Sequence, residues 1–332
     1  MGWTRSGRKG AFRYVDVRGR AIVDPAQIER IERLAIPPAW HTVWISPRAN
    51  AKIQATGIDR AGRKQYRYHA DYRAAQDEAK FDRLIRFAEQ LPALRAVMAQ
   101  DLDNDGLDKE RVCAIALRLI NLGWFRVGTD RHARESRTYG ITTLTKRHLS
   151  VSGKRISLAF TGKQKIEVRT SLVDDELALA LRELLEVPGA RVFRYARDGE
   201  LYNLTGERLN EYVKEHLGAE FTAKDFRTWG GTLLAAIAFA EKARREDSPT
   251  KRSVTAVMRR VAEELGNTPA VARASYVSPA VVEQYLDGRT LEDFRPPHLR
   301  VVGARQIELD PEEQALLSLL RSWRIRRARK AA

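Results

Sequence analysis

A single change of pattern constrains this chain more than any other feature. Up to about residue 75 the sequence runs in short apolar segments broken by turn residues. Beyond that point, long stretches carry apolar residues at helical spacing. A chain written this way is expected to form a small sheet-containing domain followed by a mainly helical one. Its 332 residues are enough for both. The pattern changes between Ala74 and Lys80, and we set the boundary at 77/78, giving domains of residues 1–77 and 78–332. The fold class expected is α+β, with two lobes and a β-hairpin set into the helical part.

In the first part, Phe12 to Val17, Thr42 to Ile45 and Lys64 to His69 read as strands. Pro25 to about Leu34 reads as a helix with Asp24 as its N-cap. In the second part, Leu107 to Leu122 sets Val112, Ile115, Ala116, Leu119 and Ile120 on one stripe. Val173 to Leu185, Arg208 to Leu217, Lys224 to Ala243 and Val254 to Leu265 follow the same logic. One interruption stands out. Arg155 to Phe160 alternates apolar and polar, Thr161-Gly162-Lys163-Gln164 follows, and Lys165 to Arg169 alternates again. This predicts a β-hairpin with Lys163 at its tip. No internal repeat is visible. Arg321 to Lys330 is strongly basic, with Trp323 and Ile325 interleaved, and either continues a C-terminal helix or frays into a tail.

Charge narrows the partners. The formal net charge is +16, which suits a polyanion or an acidic membrane surface. Residues 1–75 hold 15 Lys/Arg against 6 Asp/Glu and are the more basic part for their length. No stretch of 18 apolar residues exists, so no bilayer span is expected. Met1 to Gly10 lacks the apolar core of a signal peptide. The single cysteine, Cys113, falls in an apolar helical run and is expected to be buried as a small hydrophobe. Together these predict a cytoplasmic protein. One cysteine and six histidines argue against a structural zinc site. Neither His-Glu-x-x-His nor Gly-x-x-x-x-Gly-Lys-Ser/Thr occurs, so neither a zincin nor a P-loop ATPase is supported, and the reactive groups singled out below need no metal or cofactor.

Four side chains sit in distinctive settings: Arg126 in Phe125-Arg126-Val127-Gly128, Lys163 in Thr161-Gly162-Lys163-Gln164-Lys165, Arg227 in Lys224-Asp225-Phe226-Arg227-Thr228-Trp229-Gly230, and Tyr276 in Ala274-Ser275-Tyr276. Each has an ordinary reading. Lys163 is a solvated charge on a turn, and Arg126 a surface cation at a helix C-terminus. Arg227, close to an apolar face, is a structural ion pair with Asp225 or a distant acid, or else its fork awaits a phosphate. Tyr276 precedes a helix expected to start at Ser278 with Pro279 first. The Gly266-Asn267-Thr268-Pro269 stretch before it reads as a turn, with Asn267 a candidate cap. Taken together, a phenol, two guanidiniums and an ammonium can open a phosphodiester: the phenolate attacks, the arginines hold the phosphoryl oxygens and the lysine protonates the leaving alkoxide.

From Ile36-Pro37-Pro38-Ala39-Trp40 to the tyrosine and beyond, the chain resembles the type IB DNA topoisomerases of the small poxvirus and bacterial kind. That family's active site comprises an arginine after Phe, a lysine in a Gly-Lys-x-Lys hairpin, an arginine in Lys-Asp-hydrophobic-Arg-Thr-aromatic-Gly, a His or Asn before Thr-Pro, and a tyrosine nine residues later. These roles fall on Arg126, Lys163, Arg227, Asn267 and Tyr276. Position 267 is Asn where poxvirus and eukaryotic members carry His. An amide can still donate to a phosphate oxygen, though without a charge.

The resemblance implies an ATP-independent enzyme that relaxes duplex DNA as a monomer, its basic N-terminal domain and mainly helical catalytic domain closing as a clamp. It also implies DNA contacts at Gln65, Tyr66 and Tyr68, which share their run with Arg63, Lys64 and Arg67, and at Arg131 and Arg134. Strand alternation sends Gln65, Arg67 and His69 one way and the two tyrosines the other. At least one of these tyrosines also reads as core. A tyrosine recombinase uses the same chemistry but normally shows His-x-x-Arg at the second arginine, where this chain has Lys224-Asp225-Phe226-Arg227. A non-catalytic DNA-binding protein that keeps the fold is the third reading, and the intact set of five residues argues against it.

Overall fold

The computed structural model describes residues 2–8, 10–246, 248–295 and 307–331. The chain separates into two compact units, Met1–Asp82 and Arg83–Ala332, and the division falls inside a long helix that starts at Ala70.

The first unit is a five-stranded antiparallel sheet of β1 (Trp3–Arg8), β2 (Ala11–Val15), β3 (His41–Ile45), β4 (Ile53–Ile58) and β5 (Lys64–Tyr68), in the order β2-β1-β3-β4-β5. Helix α1 (Pro25–Arg33) starts as the sequence predicts: Asp24 accepts from the Ala26 amide at 3.0 Å, and Pro25 holds the first helical position. α1 presses Ile31 against Val43, Ile45 and Ala55, with Trp3, Tyr14, Ile22, Leu34, Ile36 and Trp40 packed around them. Each large aliphatic side chain buried here contributes about 1.5–3 kcal/mol. The Ile36-to-Trp40 turn is tied down by Arg5, whose guanidinium donates to the carbonyls of Pro37 (3.0 Å) and Trp40 (2.7 Å).

Two of these strands were not expected. β1 is polar and carries no apolar alternation, so its strand state comes from pairing with β2 on one side and β3 on the other. β4 leads into the turn that precedes β5. The turn itself begins at Asp59, whose carboxylate accepts from the amides of Ala61 (2.9 Å) and Arg63 (3.0 Å).

The long helix is α2 (Ala70–Asp103). In the second unit it is followed by α3 (Lys109–Gly123), α4 (Asp130–Glu135), a three-stranded sheet of β6 (Leu149–Ser152), β7 (Arg155–Thr161) and β8 (Glu167–Val173), α5 (Asp175–Glu186), and a hairpin of β9 (Arg194–Arg197) and β10 (Glu200–Asn203). Then come α6 (Gly206–Leu217), α7 (Ala223–Ala243), α8 (Lys251–Leu265), α9 (Pro269–Ser275), α10 (Pro279–Leu286) and α11 (Pro311–Ala331). The basic C-terminal stretch therefore continues a helix. The β9–β10 hairpin is a second interruption that the sequence reading missed. Val173 closes β8, and α5 opens at Asp174, which accepts from the Leu177 amide at 2.9 Å.

α7 is the centre of this unit. Its Phe226, Trp229, Leu233, Ala235 and Phe239 are buried. Phe87 of α2 meets Phe226 edge-on at 5.0 Å between ring centroids. From α11, the buried Glu313 accepts from both terminal nitrogens of Arg95 at 2.8 Å and from the Trp229 indole at 2.9 Å. A buried carboxylate needs such partners, since an unpaired one costs several kcal/mol. Cys113 is fully buried in α3, and burial pushes its thiol up to about 12, so it is inert. Among the described residues, no helix is long and apolar enough to cross a membrane.

Candidate active site

Three chain segments build the site. α3 ends at Trp124, which adopts the left-handed conformation and returns its amide to the Ile120 carbonyl at 2.8 Å. The chain then leaves the helix through Phe125 and Arg126, pinned by the amides of Ile141 and Thr142, which bond the carbonyls of Arg126 (2.9 Å) and Val127 (2.8 Å). Gly128 is required there: its φ is +96°, and a Cβ would lie 3.1 Å from the Gly140 backbone. Phe125 is buried against Phe160 of the hairpin, so the neighbouring Arg126 is aimed away from that core contact.

The second segment is α7. Its N-terminus carries a capping box, in which Asp225 accepts from the Thr222 amide at 2.9 Å while facing Arg83. Asp225 is therefore committed elsewhere and is not the partner of Arg227. Instead, the buried Arg227 guanidinium donates to backbone carbonyls, those of Trp124 and, at 2.7 Å, Leu265. Its Nε is buried without a hydrogen-bond partner.

The third segment is the α8–α9 turn. α8 ends at Gly266 in the left-handed conformation, and the Asn267 amide bonds back to the Ala262 carbonyl at 2.8 Å. The last carbonyls of a helix lack intrahelical partners. Here cations take them: Arg126 donates to Gly266 O at 2.9 Å and to the Asn267 side-chain oxygen at 2.5 Å. Asn267 is not the cap of α9. That place belongs to Thr268, which accepts from the Val271 amide, leaving the Asn267 amide group beside Arg126. Tyr276 closes α9, and Ser278 and Pro279 open α10 as expected.

Tyr276 is buried, and the Arg227 guanidinium lies over its ring at 5.1 Å from the centroid. Burial works against ionising the phenol. The charge of Arg227, with Arg126 and Lys224 behind it, outweighs burial and holds the phenol below the ordinary tyrosine value. The reciprocal effect falls on Arg227: burial, then the charge of Arg126, lowers it to about 10, which leaves it protonated at neutral pH. Burial also lowers Arg126.

The structure thus brings together Arg126, Arg227, Asn267 and Tyr276. It does not bring Lys163 to them. Lys163 is exposed on the hairpin turn between β7 and β8 and makes no hydrogen bond to the other four, while Lys165 beside it donates to the Ser136 carbonyl. A cavity of about 420 Å³ lies beside the cluster, lined by Arg126, Arg227 and Gly266 on one side and by Gly162, Ile166 and Val168 of the hairpin on the other. Sequence reasoning missed the carbonyls of Trp124, Leu265 and Gly266 as acceptors. Only Gly266, as a helix terminator, gave any signal.

The residues expected to meet DNA are distributed differently. In the first unit, Tyr66 and Tyr68 are 43% and 38% exposed, so neither belongs to the core and the expectation that one of them packs inward is corrected. They stack at 5.9 Å, and Lys64 lies over the Tyr66 ring. The opposite side of β5 is committed within the fold. Gln65 donates to Asp59 at 3.0 Å, Arg63 pairs with Asp59 at 2.8 Å, and Arg67 donates to the Ala35 carbonyl at 2.7 Å. The Arg63 amide and guanidinium, helped by Gln65, hold Asp59 down to about 2. In the second unit, Arg131 and Arg134 are exposed on α4, with Arg131 paired to Glu135 at 3.0 Å.

Comparison with known proteins identifies the family. Residues 69–290 match a family described as the catalytic core of eukaryotic DNA topoisomerase I, and residues 11–59 match the N-terminal domain of bacterial DNA topoisomerase IB. The chain is 33% identical to DNA topoisomerase 1B of Acanthamoeba polyphaga mimivirus over 85% of this chain and 86% of that protein. It is 23% identical to DNA topoisomerase 1B of vaccinia virus (strain Copenhagen) over 74% of this chain and 76% of that one. It is also 24% identical to DNA topoisomerase 1 beta of Arabidopsis thaliana, over 57% of this chain and 20% of that protein. With both units matched in order and a relative 33% identical over most of both chains, the chain belongs to the type IB DNA topoisomerase family.

Proposed function

We propose that this protein relaxes supercoiled duplex DNA without ATP, by cutting one strand, letting it rotate and resealing it. The observation that carries the reading is the Arg227 guanidinium seated over the buried Tyr276 phenol. The Tyr276 oxygen attacks the scissile phosphorus and forms a 3′-phosphotyrosyl bond. The bond to the 5′ oxygen breaks, and Lys163 supplies its proton. As negative charge builds on the phosphorane, Arg126, Arg227 and Asn267 hold its non-bridging oxygens. The carbonyls they now face stand where acceptors are needed before DNA arrives. Resealing reverses each step. The energy of the broken ester stays in the phosphotyrosine, so the cycle needs no nucleotide.

The net charge of +16 supports a polyanionic partner. The exposed Tyr66–Tyr68 ladder flanked by Lys64 offers faces and charge for DNA. We take the working form to be a monomer acting in the cytoplasm. The direct test is supercoiled plasmid in EDTA without ATP. A ladder of closed circular topoisomers is expected, and unchanged plasmid or recombined products would overturn the reading.

Arg227 is expected to act through fixed charge. Arg227→Ala should slow single-turnover cleavage by about 10²–10³-fold, the scale of a lost oxyanion donor. Arg227→Lys should recover only part, because an ammonium cannot grip two oxygens as a fork does. A substrate with a 5′-phosphorothiolate at the scissile bond, whose sulfur leaves without a proton, should not rescue either variant. Rescue would make Arg227 a proton donor.

A further inference from the structure

The nucleophile sits at the end of a short helix, and something must hold it. α9 has only 7 residues, too few to be stable alone. Tyr276 is its C-cap, with φ −129° and ψ −12°, so its own carbonyl has left the helical ladder. That carbonyl and the Ser278 amide, which bracket Val277, are both met by one side chain. The fully buried Thr232 of α7 shares its hydroxyl proton between Thr228 O at 2.8 Å and Tyr276 O at 3.1 Å, and its oxygen accepts from Ser278 N at 3.1 Å. The preceding residue provides the space. A Cβ at Gly231 would lie 2.8 Å from Tyr276 O and 3.0 Å from its Cβ, so the turn rests directly on the α7 backbone. The same helix carries Arg227. One rigid element therefore holds both the guanidinium and the turn that presents the phenol to it.

We propose that Thr232, seated beside Gly231, is a positioning residue for the nucleophile: its hydroxyl fixes the turn that carries Tyr276 and so sets the phenol's line of attack. Thr232 does not touch DNA. It acts through two backbone groups of the Tyr276 turn, and valine copies its shape while removing the hydroxyl. The inference rests on Tyr276 being the nucleophile.

The test is single-turnover cleavage of a short duplex that loses its downstream strand on cutting, measured across pH for the full-length protein. Thr232→Val should slow cleavage by about 10²-fold, the scale of a small misplacement of a reacting group, with non-covalent DNA affinity unchanged. Its phenol limb should move to higher pH, because a tyrosine displaced from Arg227 loses the charge that favours ionisation. Thr232→Ser should restore both rate and limb. Gly231→Ala, which lifts the turn and keeps every polar partner, should reproduce the valine phenotype and serves if Thr232→Val does not fold. Either variant cleaving at the wild-type rate overturns the proposal, as does slowing with an unmoved limb that serine does not rescue. Tyr276→Phe in the same assay separates the two readings. An adduct that survives it removes Tyr276 as nucleophile, whereas a silent Tyr276→Phe beside a fully active Thr232→Val removes only the role of Thr232.

Discussion

Tyr276→Phe is expected to abolish the covalent adduct while leaving DNA binding intact. The ring stays, so its packing and the stacked Arg227 guanidinium 5.1 Å away persist. Only the attacking oxygen is lost. Losses on the order of 10⁶-fold follow removal of a nucleophile in covalent catalysis, so neither adduct nor relaxation should be detectable. The measurement is a duplex 5′-labelled on the scissile strand, run under denaturing conditions after mixing with protein. A labelled protein band from the phenylalanine variant would show that another residue attacks. The wild-type rate should rise with pH as the phenol ionises. Because Arg227 outweighs burial, that limb should lie below the ordinary tyrosine value of about 10.

Lys163→Ala should slow cleavage by about 10²–10⁴-fold, the range of general acid catalysis. Unlike Arg227, Lys163 stands exposed on a hairpin turn, so its removal leaves no buried group unpaired and should not disturb the fold. Its effect belongs to the leaving group alone. The 5′-phosphorothiolate substrate, whose sulfur needs no proton, should recover most of the lost rate. The same substrate leaves Arg227→Ala impaired, so the pair of variants assigns proton transfer and charge stabilisation separately. Equal impairment of Lys163→Ala on both substrates would reduce the lysine to a positioning contact.

The sequence by itself determined most of the local elements and singled out the candidate reactive groups. Asp24-Pro25 and Ser278-Pro279 announce helix starts because a capping oxygen and a fixed φ act within a few residues. The alternation around Thr161-Gly162-Lys163 announces the hairpin because strand faces repeat every second residue. The order and surroundings of Arg126, Lys163, Arg227, Asn267 and Tyr276 are enough to point to the family.

What only the tertiary structure decided is which groups meet and which face is buried. Alternation in β5 separated Tyr66 and Tyr68 from Gln65 and Arg67, yet the tyrosines proved exposed, and the core is filled instead by Ile31 of α1, Val43, Ile45, Ala55 and the side chains packed on them. β1 and β4 escaped notice because pairing on both sides makes them strands and their own composition does not. Arg227 read as half of an ion pair or as a fork awaiting a phosphate, and is bonded to the carbonyls of Trp124 and Leu265. Every residue carries a carbonyl, so the sequence cannot mark the few that a fold turns toward a cation. Two helix ends left open by their own geometry, those of α3 and α8, converge on α7 and make the site.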